Sequence, residues 1–455
     1  MRIMIAAAIF CIFMTGCASK APQADVAGLQ TLIEARTGKH VQWNQGAVLD
    51  HNAAQAVNKL LEHEMSVDEA VQVALLNNPS IQSFFEELGI AQADVVQAGL
   101  FRNPVFSAKA RFPDGPPSST NTEFSVTQDF LDVFLRPVRQ KLAIAQYEQA
   151  KLQVANRVLD LSNQVQQVYY RLQGQMQIVR MRQMQVEVSQ AAAEMAGRQY
   201  IAGNINDLDL ANEQAAFHQS RLELAQDQIQ IEQLRAELTS LMGLWGQQIN
   251  WKIMPDLAQL PSQELSTEDI EKIAVANRLD LAAAKQQMQI VSDALNLAHK
   301  GIISEVQLGI DTERDTDGTN VTGPSIELPL PIFDRRQAQI QKLEAQMKQS
   351  RHIVDSLAIG IRSEVRATAG NLAAKRQIVQ YYFRHVIPLR AQIVALTLEQ
   401  YNAMITGVYD LLTAKQMEFA AKKNYLEALR DYWILRSQLE RTLGGARLVT
   451  NGAIK

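Results

Sequence analysis

The chain has 455 residues, 47% hydrophobic and 20% charged, and its 44 basic and 48 acidic side chains leave a net charge of −4. That length supports a large core and two or three domains. With no basic excess and no zinc-finger or RNA-binding signature, a nucleic-acid partner is not expected.

Arg2 is followed by an apolar run from Ile3 to Met14, too short to span a bilayer. It reads as a secretory signal peptide over residues 1–16. Met14-Thr15-Gly16-Cys17 resembles a bacterial lipobox, with Met14 where Leu is commoner. The resemblance implies that Cys17 becomes the lipidated first residue, and Ser19 resembles an outer-membrane sorting signal. A plain signal peptide with an incidental cysteine is the alternative. Several acyl chains anchor stably where one does not. Cys11 leaves with the signal, so the mature chain has no free thiol and no disulfide. No other apolar run of about 20 residues exists, so any membrane crossing must be a β-barrel.

Residues 17–65 are expected to be an extended, lipid-anchored tether ending in a short helix near Ala53–Glu64. Ser66-Val67-Asp68-Glu69 has capping-box spacing and opens a helix. Pro79 should kink or interrupt that helix, which ends near Arg102-Asn103-Pro104. The period then switches to two. Phe106, Ala108, Ala110 and Phe112 alternate with polar residues, and Glu123–Phe130 alternates again after a Pro/Gly/Ser loop. This predicts a β-hairpin over 104–131. From Pro137, placed in the first helical turn, to Tyr200 there is no proline. About 64 residues at ~1.5 Å each make a helix of roughly 96 Å. The return helix, 205–242, carries two heptad seams on nearly opposite faces: Leu208, Ala215, Leu222, Ile229 and Ala236 on one, Leu210, Phe217, Leu224, Ile231 and Leu238 on the other. Two seams require a neighbour on each side.

After a linker over 246–265, the pattern restarts. Ser266, Ala274, Asn277 and Ile290 match Ser66, Ala74, Asn77 and Ile90 at an offset of 200. A second hairpin is expected over 303–331, with its loop at Thr312–Gly323. Tyr401, Asp410, Leu411 and Gly444 match Tyr200, Asp209, Leu210 and Gly243 at an offset of 201. The chain therefore reads as a tandem duplication: repeat 1 over 66–245, repeat 2 over 266–445 and a tail over 446–455. The fold class is mainly α with a small β part. Four strands cannot close a barrel, so in a membrane they must be completed by further copies; a small sheet packed in water is the other reading.

Ser66–Ala70 through Asn78-Pro79, Gly99–Pro104 and the two helix tips together resemble the TolC-like outer membrane efflux family, in particular its lipid-anchored members. The similarity covers residues 66–445. It implies a homotrimer with a 12-stranded barrel in outer-membrane lipid and an α-helical tunnel across the periplasm. It further implies docking to a periplasmic adaptor and an inner-membrane pump. The implied activity is passive conduction of small molecules or ions; a poreless structural coiled-coil lipoprotein is the alternative. By the same resemblance Tyr401, Thr406, Asp410 and Thr413 fall at the periplasmic aperture, with Tyr200, Gly203 and Asp209 at the companion tip. Thr406 stands where some members carry a basic residue. Met404 replaces the glycine that Gly203 supplies, and Gly407 is expected to serve the turn instead. Asp410 repeated by symmetry would form a carboxylate ring favouring cations. Helix capping by Asp410 and Asp209 is the structural reading, and the two are compatible.

Met176, Met181, Met184 and Met195 read as core filler. No histidine pair has ligand spacing, and no nucleophile elbow, P-loop or catalytic cysteine is present. No cofactor, resident metal or enzymatic activity is expected.

Overall fold

The structure is a computed structural model describing residues 26–44, 48–115, 119–262, 269–300 and 305–445. The signal segment, Cys17 and the tail over 446–455 lie outside the described residues. The chain divides into two compact units.

The first unit takes in residues 85–152 and 283–354. Its centre is a four-stranded antiparallel sheet in the order β2–β3–β5–β6, formed by β2 (Val105–Arg111), β3 (Asn121–Asp129), β5 (Gln307–Arg314) and β6 (Asn320–Glu327). The register places Phe106, Val126, Ile310 and Pro324 in one cross-strand row, and Lys109, Glu123, Glu313 and Val321 in another. β5 and β6 run further than the alternation indicated, so the expected loop at Thr312–Gly323 shrinks to residues 315–319. Asp315 and Asp317 close it by accepting from the backbone of Thr316 and Thr319. Pro324, which has no N–H to give, lies on an edge strand.

The second unit comprises 26–84, 153–282 and 355–445 of the described residues. Here the extended tether is corrected. Residues 26–37 form helix α1 (Val26–Thr37), with Leu29 and Ile33 fully buried. Helix α2 (Val48–Leu61) starts five residues before the expected 53–64 and ends three residues short of it. The buried residues of α1 lie one turn apart, too sparse a pattern to stand out without the core they fill. Residues Glu64–Met65 (β1) pair in parallel with Lys252–Ile253 (β4). The linker is thereby ordered around Trp251, whose indole is buried, donates to Thr239 Oγ1 at 3.1 Å and lies under the Arg235 guanidinium.

Helix α3 (Val67–Asn77) opens on the expected capping box: Ser66 Oγ accepts from the Glu69 amide, and Glu69 accepts from the Ser66 amide at 2.7 Å. The helix stops at Asn78, and Pro79 becomes the first residue of α4 (Pro79–Gly99). The same break separates α7 (Ile270–Asn277) from α8 (Leu279–Lys300), where no proline is present. Helix α5 (Asp132–Ile201) has 70 residues and starts five residues before Pro137. Asp132 sets this earlier start by accepting from the Arg102 amide and pairing with Arg139.

Helix α6 (Asp207–Leu241) buries Leu238 while Leu208, Leu222 and Ile229 of its other seam stay exposed. Over residues 337–402 the long helix is interrupted. α9 (Gln337–Tyr381) passes through a wide π-turn over Tyr382–Val386 into α10 (Ile387–Asn402), and the Ile387 amide reaches the Tyr382 carbonyl. Pro388 sits just after the turn, where a proline cannot supply the usual helical N–H. The last helix among the described residues is α11 (Val408–Thr442).

The α3–α4 break receives the C-terminus of α6. Asn77 Nδ2 donates to the carbonyls of Met242 and Gly243, and Asn78 Nδ2 to that of Leu241. Gly243 (φ +67) is so close that an added Cβ would lie 2.7 Å from the Asn77 carbonyl. Gly444 (φ +77) repeats the approach at 2.5 Å from the Asn277 carbonyl. There Arg36 of α1 bridges the junction, donating to Asn277 Oδ1 and to the Gly444 carbonyl.

Candidate functional site

Two regions carry the residues of interest: the paired helix tips of the second unit and the sheet of the first. The α5 tip ends in a Schellman closure. The Gly203 amide bonds the Tyr200 carbonyl at 2.9 Å and the Asn204 amide bonds that of Gln199 at 2.8 Å. The α10 tip repeats it: Met404 to Tyr401 at 2.9 Å and Ile405 to Gln400 at 2.9 Å. Both motifs require a left-handed residue. Gly203 takes φ +74, and Met404 takes φ +59. The expectation that Gly407 relieves Met404 is therefore wrong. Gly407 is extended (φ −79, ψ 161) and forms the N-cap of α11. The hydrogen-bond pattern of the closure fixes which residue must turn left, and a glycine three positions later lies beyond it.

Asp410 is exposed, and its Oδ2 accepts from the Gly407 amide at 3.1 Å. It thus caps from the third helical position. Asp209 occupies the matching place in α6, but Asn206 is the cap there and accepts from the Asp209 amide at 2.9 Å. Thr413 is exposed, and its hydroxyl donates to the Tyr409 carbonyl on its own helix. Thr406 Oγ1 is buried and has no partner among the described residues. Tyr401 is half-buried. Tyr200 is exposed, and its hydrogen bond to the Asp207 carboxylate raises the phenol's pKa.

Tyr409 links the tips: its hydroxyl donates to Gln199 Oε1 at 2.9 Å, joining the start of α11 to the end of α5. Burial, then the carboxylates of Glu213 and Asp209, push its pKa up. Burial also raises Glu213. The tip thus gathers Asp207, Asp209, Glu213 and Asp410, of which the sequence reading identified two. Asn206 three residues before Asp209 is a legible cap signal; the cross-tip role of Tyr409 has no local signature. Met404, Ile405, Ile201 and Leu208 are strongly exposed at the tips.

In the sheet, Phe106, Phe124, Val126, Leu308, Ile310 and Ile326 are at least two-fifths exposed along one face. Phe106 and Phe124 stack with ring centroids 6.3 Å apart. Sharing the opposite face are Ser107, Lys109, Glu123, Ser125, Asp311 and Glu313, by register and pleat. Glu123 and Glu313 are direct cross-strand partners. Glu123 is compensated by Lys109 and Arg111, and Glu313 accepts from Asn121 Nδ2.

Among the described residues no group of three or more His, Cys, Asp or Glu is placed to hold a metal, and no helix is long and apolar enough to cross a membrane.

The family model for outer membrane efflux proteins matches residues 70–244 and again 272–445. The cobalt-zinc-cadmium resistance protein CzcC of Cupriavidus metallidurans is 21% identical over 387 residues, covering 84% of this chain and 90% of that one. Among solved structures, CusC superposes with a TM-score of 0.69 at 17% identity, over 83% of this chain and 92% of that one. The CmeC outer membrane channel of Campylobacter jejuni gives 0.72 at 13% identity, over 90% and 91%. These likenesses are of fold. With two consecutive family matches covering most of its length, the chain belongs to the outer membrane efflux protein family.

Proposed function

We propose that this chain is the outer-membrane duct of a tripartite efflux pump, conducting cargo passively from periplasm to exterior. The observation that carries this reading is the sheet. It has one exposed apolar face and one charged face, and among the described residues β2 and β6 each leave an edge unpaired. Such edges are not tolerated in lipid. Three copies joined β6 to β2 close a barrel of 12 strands with the apolar face to lipid and the charged face to water. The exposed Leu208–Leu222–Ile229 seam of α6 supplies a helix-packing face for the neighbouring copy. The acylated Cys17 anchors the assembly. The helix tips form the periplasmic mouth that meets an adaptor protein and, through it, an inner-membrane pump.

Cations are the favoured cargo. Acidic side chains gather at the tips and on the charged face of the sheet, and the relative CzcC is named for cobalt, zinc and cadmium resistance. The test is conductance of the purified full-length protein in planar bilayers, with reversal potentials under a salt gradient. A cation-selective channel is expected. A correctly assembled trimer without conductance refutes the duct and leaves the poreless lipoprotein. A conducting but anion-selective channel refutes the cargo assignment alone.

A further inference from the structure

The two faces of the four-stranded sheet differ in shelter as well as in chemistry. Along β5, Gln307, Gly309, Asp311 and Glu313 are half-buried, and the residues between them are exposed. Ser107 of β2, Ser125 of β3, and Gly323 and Ser325 of β6 lie on the same face by register and are half-buried too. The polar face is therefore the hollow one. Gly309 shows the crowding that goes with such a curl. Its cross-strand partners Thr127 and Ser325 lean over it, and an added Cβ would lie 2.6 Å from Thr127 Cγ2 and 2.8 Å from Ser325 Oγ. Glycine inside a strand marks this kind of close approach.

The charges on the hollow face fall into two sets. Lys109 and Arg111 both pair with Glu123, at 3.2 and 3.1 Å, and the second carboxylate of that row, Glu313, accepts from Asn121. Two cations and two carboxylates cancel. The adjoining row is Ser107, Ser125, Asp311 and Gly323. Asp311 is its longest side chain, and its carboxylate has no ion pair and no hydrogen-bond donor among the described residues. The row after it, Val105, Thr127, Gly309 and Ser325, carries no charge. Glu327, at the end of β6, is a further unpaired carboxylate of this face.

We propose that Asp311 is the cation-selecting residue of the barrel, acting on hydrated cations through its field rather than by ligating them. This rests on the duct reading: three copies place three Asp311 carboxylates around one lumen. Twelve strands ~4.8 Å apart and tilted ~40° close at a radius of roughly 12 Å, so the carboxylates stand about 15–20 Å apart. No single ion bridges them, since direct ligation needs about 2.0–2.6 Å. Their fields add across the lumen only while salt does not screen them, and the Debye length falls from ~30 Å at about 0.01 M to ~3 Å at about 1 M.

The test is the cation-to-anion permeability ratio of the full-length protein in planar bilayers, measured with potassium chloride gradients at low and high salt. Asp311→Asn should lower the ratio roughly threefold or more near 0.01 M and leave it nearly unchanged near 1 M. Conductance at high salt verifies that the variant assembles. Glu327→Gln should shift the low-salt ratio less. Asp311→Cys should behave as Asp311→Asn does. Cys17 is the one native cysteine after the signal segment, so wild-type protein treated alike is the control. Modification of the new thiol by a thiosulfonate reagent carrying a sulfonate should restore the ratio, and one carrying an ammonium should lower it further. An unchanged ratio in a conducting Asp311→Asn channel overturns this inference and leaves the duct standing. So does a ratio indifferent to the sign of the attached charge, or a larger shift in Glu327→Gln. An assembled wild-type trimer that does not conduct refutes the duct itself.

Discussion

Gly444→Ala should be among the most damaging single-methyl additions in this protein, and Gly203→Ala is its control. Both glycines lie in the left-handed region, at φ +77 and φ +74. Either substitution therefore carries a backbone cost of about 1 kcal/mol. The surroundings differ. At Gly203 an added Cβ meets nothing within 4 Å, whereas at Gly444 it lies 2.5 Å from the Asn277 carbonyl oxygen and 2.7 Å from its carbon. Those are backbone atoms at the end of α7, so no side-chain rotation relieves them, and forced overlap adds roughly 1–3 kcal/mol. The expected losses are about 1 kcal/mol for Gly203→Ala and about 2–4 kcal/mol for Gly444→Ala. Denaturant unfolding followed by tryptophan fluorescence reads this directly, because Trp251 and Trp433 both belong to the second unit. Equal losses at the two positions would refute the argument that close approach, rather than φ, makes Gly444 necessary.

Met404→Gly should stabilise the protein by up to about 1 kcal/mol, since it removes a left-handed non-glycine residue that is almost wholly exposed; the same unfolding assay checks it. Asp410→Asn keeps an oxygen for the Gly407 amide, so stability should change by less than about 0.5 kcal/mol, while the cation-to-anion permeability ratio should fall. An unchanged ratio would leave Asp410 as a cap only. The backbone amide of Ser66, then His63, hold the Glu69 carboxyl down from its ordinary 4.5 to about 2. Its contribution is present in full above pH 4.5 and is lost as the pH falls toward 2, on the order of 1–2 kcal/mol after solvent screening. Glu69→Gln should flatten acid unfolding across that window, and an unaltered acid limb would contradict the capping geometry.

The long periodic elements were legible because their signals are local. Ser66–Glu69 spells its own cap, Pro79 its own break, and Phe106–Phe112 its own alternation. What escaped depends on partners distant in sequence. Helix α1 is held by Leu29 and Ile33, whose core is built by other segments. The break at Arg278 has no proline to announce it; the end of α11 packs there at Gly444. At the tips, the location of the turns was readable and their division of labour was not. Met404 accepts a conformation suited to glycine because the closure around it leaves no other choice, and Tyr409 finds Gln199 across a gap of 210 residues.

The π-turn at Tyr382–Val386 has a numerical consequence. The helix breaks at Asn77 and Asn277 are 200 positions apart, but the closures at Gly203 and Met404, and those at Gly243 and Gly444, are 201 apart. The stretch from the second break to its tip is therefore one residue longer than the stretch from the first. In an unbroken helix, that residue would advance every later side chain by about 100° and slide it about 1.5 Å along the axis. A wide turn absorbs one residue locally, which is how a helix tolerates an insertion without passing it on. Gly444 consequently meets Asn277 as Gly243 meets Asn77, although the intervening chain is longer. The π-turn can hold one residue more than a regular turn and so keeps the phase of everything beyond it.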